Sequence, residues 1–554
     1  MWGQLTRRFG LTAVVTTLLT TGFLCYQNFS QMDWYQAVKL SEAYVKTHFI
    51  PLSEKMTLVY HQPGQSQNKI YHYKPETFFY SEWGQYHQNR LWRQALRNAL
   101  WGLGVGVVAT LTLAWFWYRS GRKNHAPLFL RGTTQVSTQQ LNRAVKKHNR
   151  SQTWKRWFNK TPIPQDAQFT LAQLSLPEGF QYRHTLFCGS PGCGKTQGLL
   201  SLMRQVRQHG EKALVYDIDQ AFLNEFFRPG YDLILNPHDP RHVNWNLWQE
   251  GHERSDFRRM AESLIPNTTD GTESFWPQAA RILLSEALHK LDTPGVTTGH
   301  LLQTLFHDDA GLRQVLEKSV ISSVISAPID NKVLSSIKAT LGVYCDGLHD
   351  IKEDPQKPFF SIRDWLQQPD DRWLFIATTP NEKATLIPLI SLWINTTIQH
   401  VLSLNTQIPL WFFIDEFPSL HKLPSIMDFL SRGRKFKGSL VAAVQSLAQL
   451  ESVYGPKDSE VLMGLFGTWL QYRVGDMYSA EKASHILGHQ EVLRHQEGIS
   501  YGASDTRDGV SIQQQRQHEA LVLPTEIMKL RDMEAFLKIP GHFPITKIRL
   551  DYQK

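Results

Sequence analysis

Cysteine is scarce in this 554-residue sequence. There are four, at positions 25, 188, 193 and 345, too few and too scattered for a disulfide framework. That scarcity points to a reducing compartment, and so to a cytosolic main domain. Long apolar runs are few as well. With 42% hydrophobic and 20% charged residues, the composition excludes both a wholly disordered chain and a membrane protein of many spans. Internal repeats are absent. Acid is missing from one region altogether: residues 119–160 hold eleven Lys or Arg (Arg119, Arg122, Lys123, Arg131, Arg143, Lys146, Lys147, Arg150, Lys155, Arg156, Lys160) and no Asp or Glu. The whole chain carries +9, so without those eleven charges the remainder sums to −2. A basic belt has been set into a nearly neutral protein. Such a belt suits anionic lipid, a phosphate backbone or both, the alternative being a solvated linker.

Two uncharged stretches precede the belt. Leu100 to Tyr118 (LWGLGVGVVATLTLAWFWY) is nineteen residues long, enough to cross about 30 Å of hydrocarbon at ~1.5 Å per residue. Trp101 at one end and Trp115, Trp117 and Tyr118 at the other suit headgroup level, and the cations that follow at once mark a cytoplasmic end. Phe9 to Tyr26 follows Arg7 and Arg8 and is also uncharged, although five of its residues are Thr. Without a small-x-small cleavage site near residues 25 to 30 it reads as an uncleaved anchor. Two spans, 9–26 and 100–118, put both termini in the cytoplasm and the loop 27–98 in the periplasm of a bacterial inner membrane. Arg90, Arg93 and Arg97 on the outer flank oppose this, but loops of such length translocate largely regardless of charge.

Beyond the belt, strand-like and helix-like patterns alternate. Strands are expected at Phe169 to Leu174, Thr185 to Phe187, 212–217, 231–235, 372–378, 409–414, 439–444, 468–474 and Thr546 to Tyr552. Helices are expected at 195–209, 382–403, 424–434, 446–453 and 478–487. Such alternation argues for an α/β domain with a mainly parallel sheet covered on both faces. From about 250 to 355 the pattern is helical without a clear strand, an all-α insertion. Residues 497–519 are Gly-, Ser- and Gln-rich and read as a mobile loop. The expected organisation is a membrane anchor over 1–123, a basic juxtamembrane linker over 124–168, a nucleotide-binding domain over 169–250 and 356–554, and the all-α domain over 251–355.

Gly189-Ser190-Pro191-Gly192-Cys193-Gly194-Lys195-Thr196 matches G-x-x-x-x-G-K-[ST] between an apolar strand and an amphipathic helix. The glycines let successive N–H groups turn toward phosphate oxygens, and the helix N-terminus adds partial positive charge. Lys195 is then placed for the β and γ phosphates of ATP and the Thr196 hydroxyl for Mg²⁺. Leu410 to Glu416 (LWFFIDE) supplies the matching acids at the end of a neighbouring strand: Asp415 for the metal and Glu416 to polarise the attacking water. Gln445, at the tip of the next strand, is placed to sense the γ-phosphate, with a plain helix cap at Ser446 as the other reading.

Those residues carry a resemblance. GSPGCGKT, the run Phe412 to Gly455, LNPHDPRHVNWNLW (Leu235 to Trp248) and FWPQAARILL (Phe275 to Leu284) resemble the TraD/TrwB class of type IV coupling proteins, membrane-anchored hexameric ATPases of conjugative DNA transfer. The likeness covers essentially the whole chain, counting the two anchors and the closing IPGHFPITKIRLDY. It implies a RecA-like P-loop NTPase with an inserted all-α domain, a homo-hexameric ring with a central pore, and ATP bound between neighbours. It also implies Gln445 as sensor and Arg183 and Arg434 as arginines acting in trans. Implied partners are DNA without sequence preference, the relaxase and relaxosome proteins, the components of a type IV secretion channel and the inner membrane. The long acidic tail with which some relatives dock nicked DNA has no counterpart here, so how substrate is recruited is left open.

Other constellations read as structural. Cys188 and Cys193 have no ligand pair nearby for zinc and read as buried thiols; His485 and His489 share a helix face without a third ligand. Trp245, Trp248, Phe275 and Trp276 could stack on bases, but packing is favoured. The apolar run Ile282 to Leu291 is core. The function expected is therefore ATP-driven DNA translocation, with an ATP-gated receptor or scaffold for protein docking as the rival. A chromosome pump resembling FtsK would need more spans and a winged DNA-reading domain.

Overall fold

The computed structural model of the protein describes residues 2–49, 55–60, 69–124, 128–158, 168–266, 275–317, 331–404, 407–500 and 509–552. The chain divides into two compact units, Met1–Leu128 with Leu493–Gln515, and Phe129–Val492 with Arg516–Lys554.

In the first unit the helices Trp2–Asn28 and Glu82–Asn124 pack side by side. Each contains a segment long and apolar enough to cross a membrane, Gly10–Asn28 and Glu82–Phe116. Glycine is what lets them approach. A Cβ at Gly102 would fall 2.1 Å from Thr21 Oγ1, and one at Gly106 2.3 Å from Thr17 Oγ1, the small-residue packing that helices use in lipid. The threonines that dilute the first apolar stretch are satisfied: Thr16 and Thr20 each donate to the carbonyl four residues back at 2.7 Å, and Thr20 also to Gly102 O at 3.2 Å. Between these helices, Gln31–His48 starts at a Ser30/Asp33 capping box. An antiparallel hairpin, Met56–Tyr60 with Lys69–Tyr73, and the short helix Pro75–Phe79 complete a small core of Leu40, Ala43, Met56, Phe78 and Phe79. Arg90, one of the three outer-flank arginines, pairs with buried Asp33 at 3.3 Å.

The second unit is built on a ten-stranded sheet. Seven strands run parallel in the order Thr468–Gln471, Thr185–Cys188, Gly438–Val444, Leu410–Ile414, Lys212–Asp217, Leu374–Ala377, Leu233–Ile234. Beyond Thr468–Gln471 come Glu534–Lys538, antiparallel, then Ile545–Arg549 and finally Gln135–Val136. Period-two alternation sends Leu410, Phe412 and Ile414 into one core and Trp411 and Phe413 into the other. Near-continuous apolar strands follow because helices cover both faces.

The all-α insertion has a topological reason for being tolerated. Leu233–Ile234 and Leu374–Ala377 are neighbours in the sheet, Leu233 opposite Leu374, so the chain leaves and re-enters at adjacent strands. Between them the described residues form the α-helices Arg254–Leu264, Phe275–Lys290, Thr298–Phe306, Asp309–Leu316, Asn331–Cys345 and Ile362–Gln367 and no strand. Leu283, Leu284, Ala287 and Leu288 are fully buried, as the run Ile282 to Leu291 foretold. A third helix of spanning length, Lys383–Ser403, has 72% of its apolar window buried inside the protein. It is a core helix, with Asn395 Nδ2 donating to Ser263 Oγ at 2.7 Å.

Three expectations are corrected. Residues 124–168 are not simply a linker. Gln135–Val136 joins the sheet, and the helix Thr138–Phe158 packs through Leu141, Val145 and Asn149, one helical face. Phe169 to Leu174 is not one strand but a tight hairpin, Thr170–Leu171 with Leu174–Ser175, turning at Ala172 and Gln173, both at positive φ. The supposed loop 497–519 is largely strand: His489–Ser500 and Gly509–Ala520 are neighbours in a small sheet, and 501–508 lie outside the described residues.

Candidate active site

The phosphate loop occupies the end of the buried strand Thr185–Cys188 and opens the helix Lys195–Gln208. Its conformation needs glycine at Gly192 (φ +76°) and Gly194 (φ +107°), and a Cβ at Gly194 would strike Met533 Sδ at 2.6 Å. The loop is tied down on both sides: Gly189 N donates to Val444 O at 3.1 Å, and Ser190 N to Arg473 O at 2.8 Å. Met533 N donates to Cys193 O at 2.9 Å, which brings the chain just before the strand Glu534–Lys538 against the loop. Lys195 is buried and folded across its own loop, its ammonium donating to Gly189 O (2.5 Å) and Ser190 O (3.0 Å). Those carbonyls occupy donors that phosphate oxygens would take. Thr196 is exposed.

The acidic strand Leu410–Ile414 is one place further from the loop than the sequence suggested. Gly438–Val444 lies between it and the loop strand, pairing with both. The consequence is that Gln445, not Asp415, ends the strand next to the loop. Gln445 Nε2 donates to Glu416 Oε1 at 3.1 Å, and Lys383 Nζ holds Glu416 Oε2 at 2.9 Å. Glu416 is therefore bridged by two partners. Asp415 sits beside it, its carboxyl pushed up to about 6 by burial and then by the charge of Asp217, while Lys195 pulls the other way. Lys195 and Asp415 thus feel one another across the strand tips.

Sequence reasoning missed three residues here. Asp217 ends the strand beside the acidic one, fully buried, accepting from Leu223 N at 2.9 Å; burial raises its pKa. An Asp after the run ALVY (213–216) was the available signal. Lys383 has no local signal, because it arrives from the start of a helix far along the chain. Arg473, near the phosphate loop, pairs with Asp532 at 2.9 Å.

Arg183 and Arg434 do not join this constellation. Arg183 precedes the loop strand and Arg434 precedes Gly438–Val444, so both lie at the opposite, N-terminal edge of the sheet, in adjoining 3-10 turns and exposed. Cys188 and Cys193 are buried free thiols, burial pushing Cys188 up to about 12. The His485 and His489 rings meet edge to face at 5.1 Å. Among the described residues, no three His, Cys, Asp or Glu side chains are grouped to hold a metal. That fits Mg²⁺, which takes one or two protein ligands and completes its shell with phosphate oxygens and water. The raised Asp415 carboxyl, crowded by Asp217 and Glu416, is a place where a cation relieves repulsion. Trp245 and Trp248 are buried, donating to Glu250 Oε1 (2.7 Å) and Leu288 O (3.1 Å), and serve the core; Phe275 and Trp276 are exposed and touch each other.

The signature described as the type IV secretion-system coupling protein DNA-binding domain matches residues 168–551. Coupling protein TraD of Escherichia coli (strain K12) is 32% identical over 398 residues, 70% of this chain and 55% of TraD. Protein VirD4 of Rhizobium radiobacter is 23% identical over 318 residues, 54% of this chain and 45% of VirD4. The chain thus spans about half the length of the curated relatives it matches. Among solved structures, unbound TrwBdeltaN70, a bacterial conjugative coupling protein, superposes with a TM-score of 0.66 at 30% identity, covering 78% of this chain and 95% of that one. TrwB in complex with ADP and Mg²⁺ gives 0.65 at 30% identity, over 78% and 96%.

Proposed function

The chain belongs to the type IV secretion-system coupling protein family, and from that premise we propose that it is an ATP-driven DNA translocase of the bacterial inner membrane. It would link a relaxase-bearing DNA substrate to a secretion channel. In this reading Gly10–Asn28 and the apolar part of Glu82–Phe116 cross the membrane, with both termini cytoplasmic and the intervening loop periplasmic. Six copies form the ring.

The observation that carries the motor reading is the meeting of Lys195, Asp415, Glu416 and Gln445 at one sheet edge. Lys195 exchanges the carbonyls of Gly189 and Ser190 for phosphate oxygens of ATP, at little cost because its ammonium is already placed. Asp415 and Thr196 would hold Mg²⁺, which when bound neutralises phosphate charge. Glu416, freed from Lys383, accepts the proton of the attacking water, while Gln445 reports the γ-phosphate to the strand it ends. Arg183 and Arg434, at the opposite edge, serve a neighbouring subunit's site, where a guanidinium neutralises charge spreading over the equatorial oxygens. The sequence pattern of Gly189–Thr196 is that of P-loop NTPases at large; what favours a hydrolytic motor is the base beside the metal ligand.

The experiment is ATP turnover by the full-length chain in nanodiscs, with and without single- and double-stranded DNA, at two salt concentrations. Turnover stimulated by either DNA and weakened by salt is expected, because backbone tracking releases counterions. Turnover indifferent to DNA in an assembled ring, yet responsive to substrate proteins, would replace the translocase with a gated receptor.

A further inference from the structure

The helix Thr138–Phe158 has two faces of unlike chemistry. Leu141, Val145 and Asn149 recur every four residues and are buried, with Asn149 bonded through its amide to Leu176 O and Glu178 N, both at 3.1 Å. Helical spacing of about 100° per residue places Arg143, Lys147, Arg150, Trp154, Trp157 and Phe158 around the opposite side. All of them are exposed. Trp154 is 66%, Trp157 67% and Phe158 75% exposed, and the three rings touch edge to face at 5.8 and 6.0 Å. No acid lies anywhere in the helix. Among the described residues most of the surface of Trp154, Trp157 and Phe158 is left uncovered, so packing uses little of their size.

We propose that this outward face is a docking surface for the anionic headgroups of the membrane from which the chain emerges. Cations in a row followed by indoles at one end is the composition that settles at a lipid-water boundary: the indoles enter the headgroup layer and the cations meet lipid phosphates. Only residues 125–137 separate the helix from the end of Glu82–Asn124, a reach of at most about 45 Å at ~3.5 Å per residue. The surface is therefore tethered beside its ligand. Because the inner face is fixed to the nucleotide-binding unit by Asn149 and by the Arg156–Glu178 ion pair, docking would hold that unit in one orientation at the bilayer. This rests on Glu82–Asn124 being a span, a premise tested separately by whether the chain enters nanodiscs at all.

The test uses the full chain carrying Cys25→Ser, whose other three cysteines are buried, and Phe158→Cys labelled with bimane, in nanodiscs containing doxyl-labelled lipid. Quenching is expected in phosphatidylglycerol discs and weaker in phosphatidylcholine discs. Substituting Arg143, Lys147 and Arg150 by Gln should abolish it, each cation being worth about fivefold at an anionic surface. Should that variant melt early, Trp154→Ser with Trp157→Ser provides the second arm, with the same loss expected. A label unaffected by anionic lipid overturns the proposal. So does a label shielded by single-stranded DNA, which would make the face a nucleic-acid track, or one shielded only by ring assembly.

Discussion

The two edges of the parallel sheet differ in what they complete. At the C-terminal edge, Lys195, Asp415, Glu416 and Gln445 lie about one loop, each with partners inside the same subunit. At the N-terminal edge, Arg183 and Arg434 stand exposed in adjoining turns with no phosphate loop beside them. One edge holds most of a hydrolytic site, and its arginine, Arg473, is paired with Asp532; the other has exposed arginines and lacks a site. Stacked subunits in a ring would bring the second edge of one copy to the first edge of the next. In the proposed ring, catalytic competence would belong to a pair of subunits, and the two edges can be tested apart.

Lys195→Ala gives the largest expected effect, a loss of turnover on the order of a thousandfold, since the other cations described at this edge, Lys383 and Arg473, are engaged by Glu416 and Asp532. DNA transfer should stop while the ring still assembles, as a sizing column would show. Arg434→Ala should cost about a hundredfold in turnover with nucleotide affinity little changed. Mixing the two variants sharpens the comparison. Turnover regained in the mixture requires an intact loop from one copy and an intact arginine from another; no recovery means both edges act within one copy.

How much of this was legible in the sequence follows range of interaction. GSPGCGKT was readable because every group it uses is local, and so were LWFFIDE and the alternation of strands and helices. Strand order was not. Nothing in Ser439 to Gln445 says that its strand inserts between the loop strand and the acidic one, because that is decided by packing among distant segments. Glu534–Lys538, which follows Met533 at the loop, was missed because its EAFLK lacks a clear alternating pattern. The basic stretch 119–160 hid its fold in another way. Its charges suggest solvent, while only Leu141, Val145 and Asn149 carry the contact face, a stripe diluted by the cations around it. Lys383 was out of reach for the same reason as strand order.

Lys383 also gives an effect of opposite sign at the same edge. Its ammonium, 2.9 Å from Glu416 Oε2, keeps the candidate base engaged. Lys383→Met should raise turnover without DNA about threefold and shrink the stimulation by DNA, because a base released from its ion pair no longer waits for substrate. Lower turnover with unchanged stimulation would show that the pair orients Glu416 instead of restraining it.

The smallest effect concerns stability. Asp415, pushed up to about 6 by burial and by Asp217, has an ordinary value near 4 when unfolded. The folded protein therefore binds the proton more tightly than the unfolded chain, and ionised Asp415 penalises the fold. That penalty is complete above pH 6, falls as pH drops from 6 toward 4, and vanishes below. Asp415→Asn removes it, so the nucleotide-free variant should be more stable than the parent by about 1 to 3 kcal/mol at pH 8, with the gain shrinking to nothing near pH 4. Denaturant melts at both pH values measure it. Saturating magnesium and nucleotide should reverse the order, since the cation that the variant can no longer hold is what offsets the crowded acids in the parent. A gain that persists at pH 4 would place the strain in packing and not in charge, and would remove the electrostatic reason for assigning the metal to this edge.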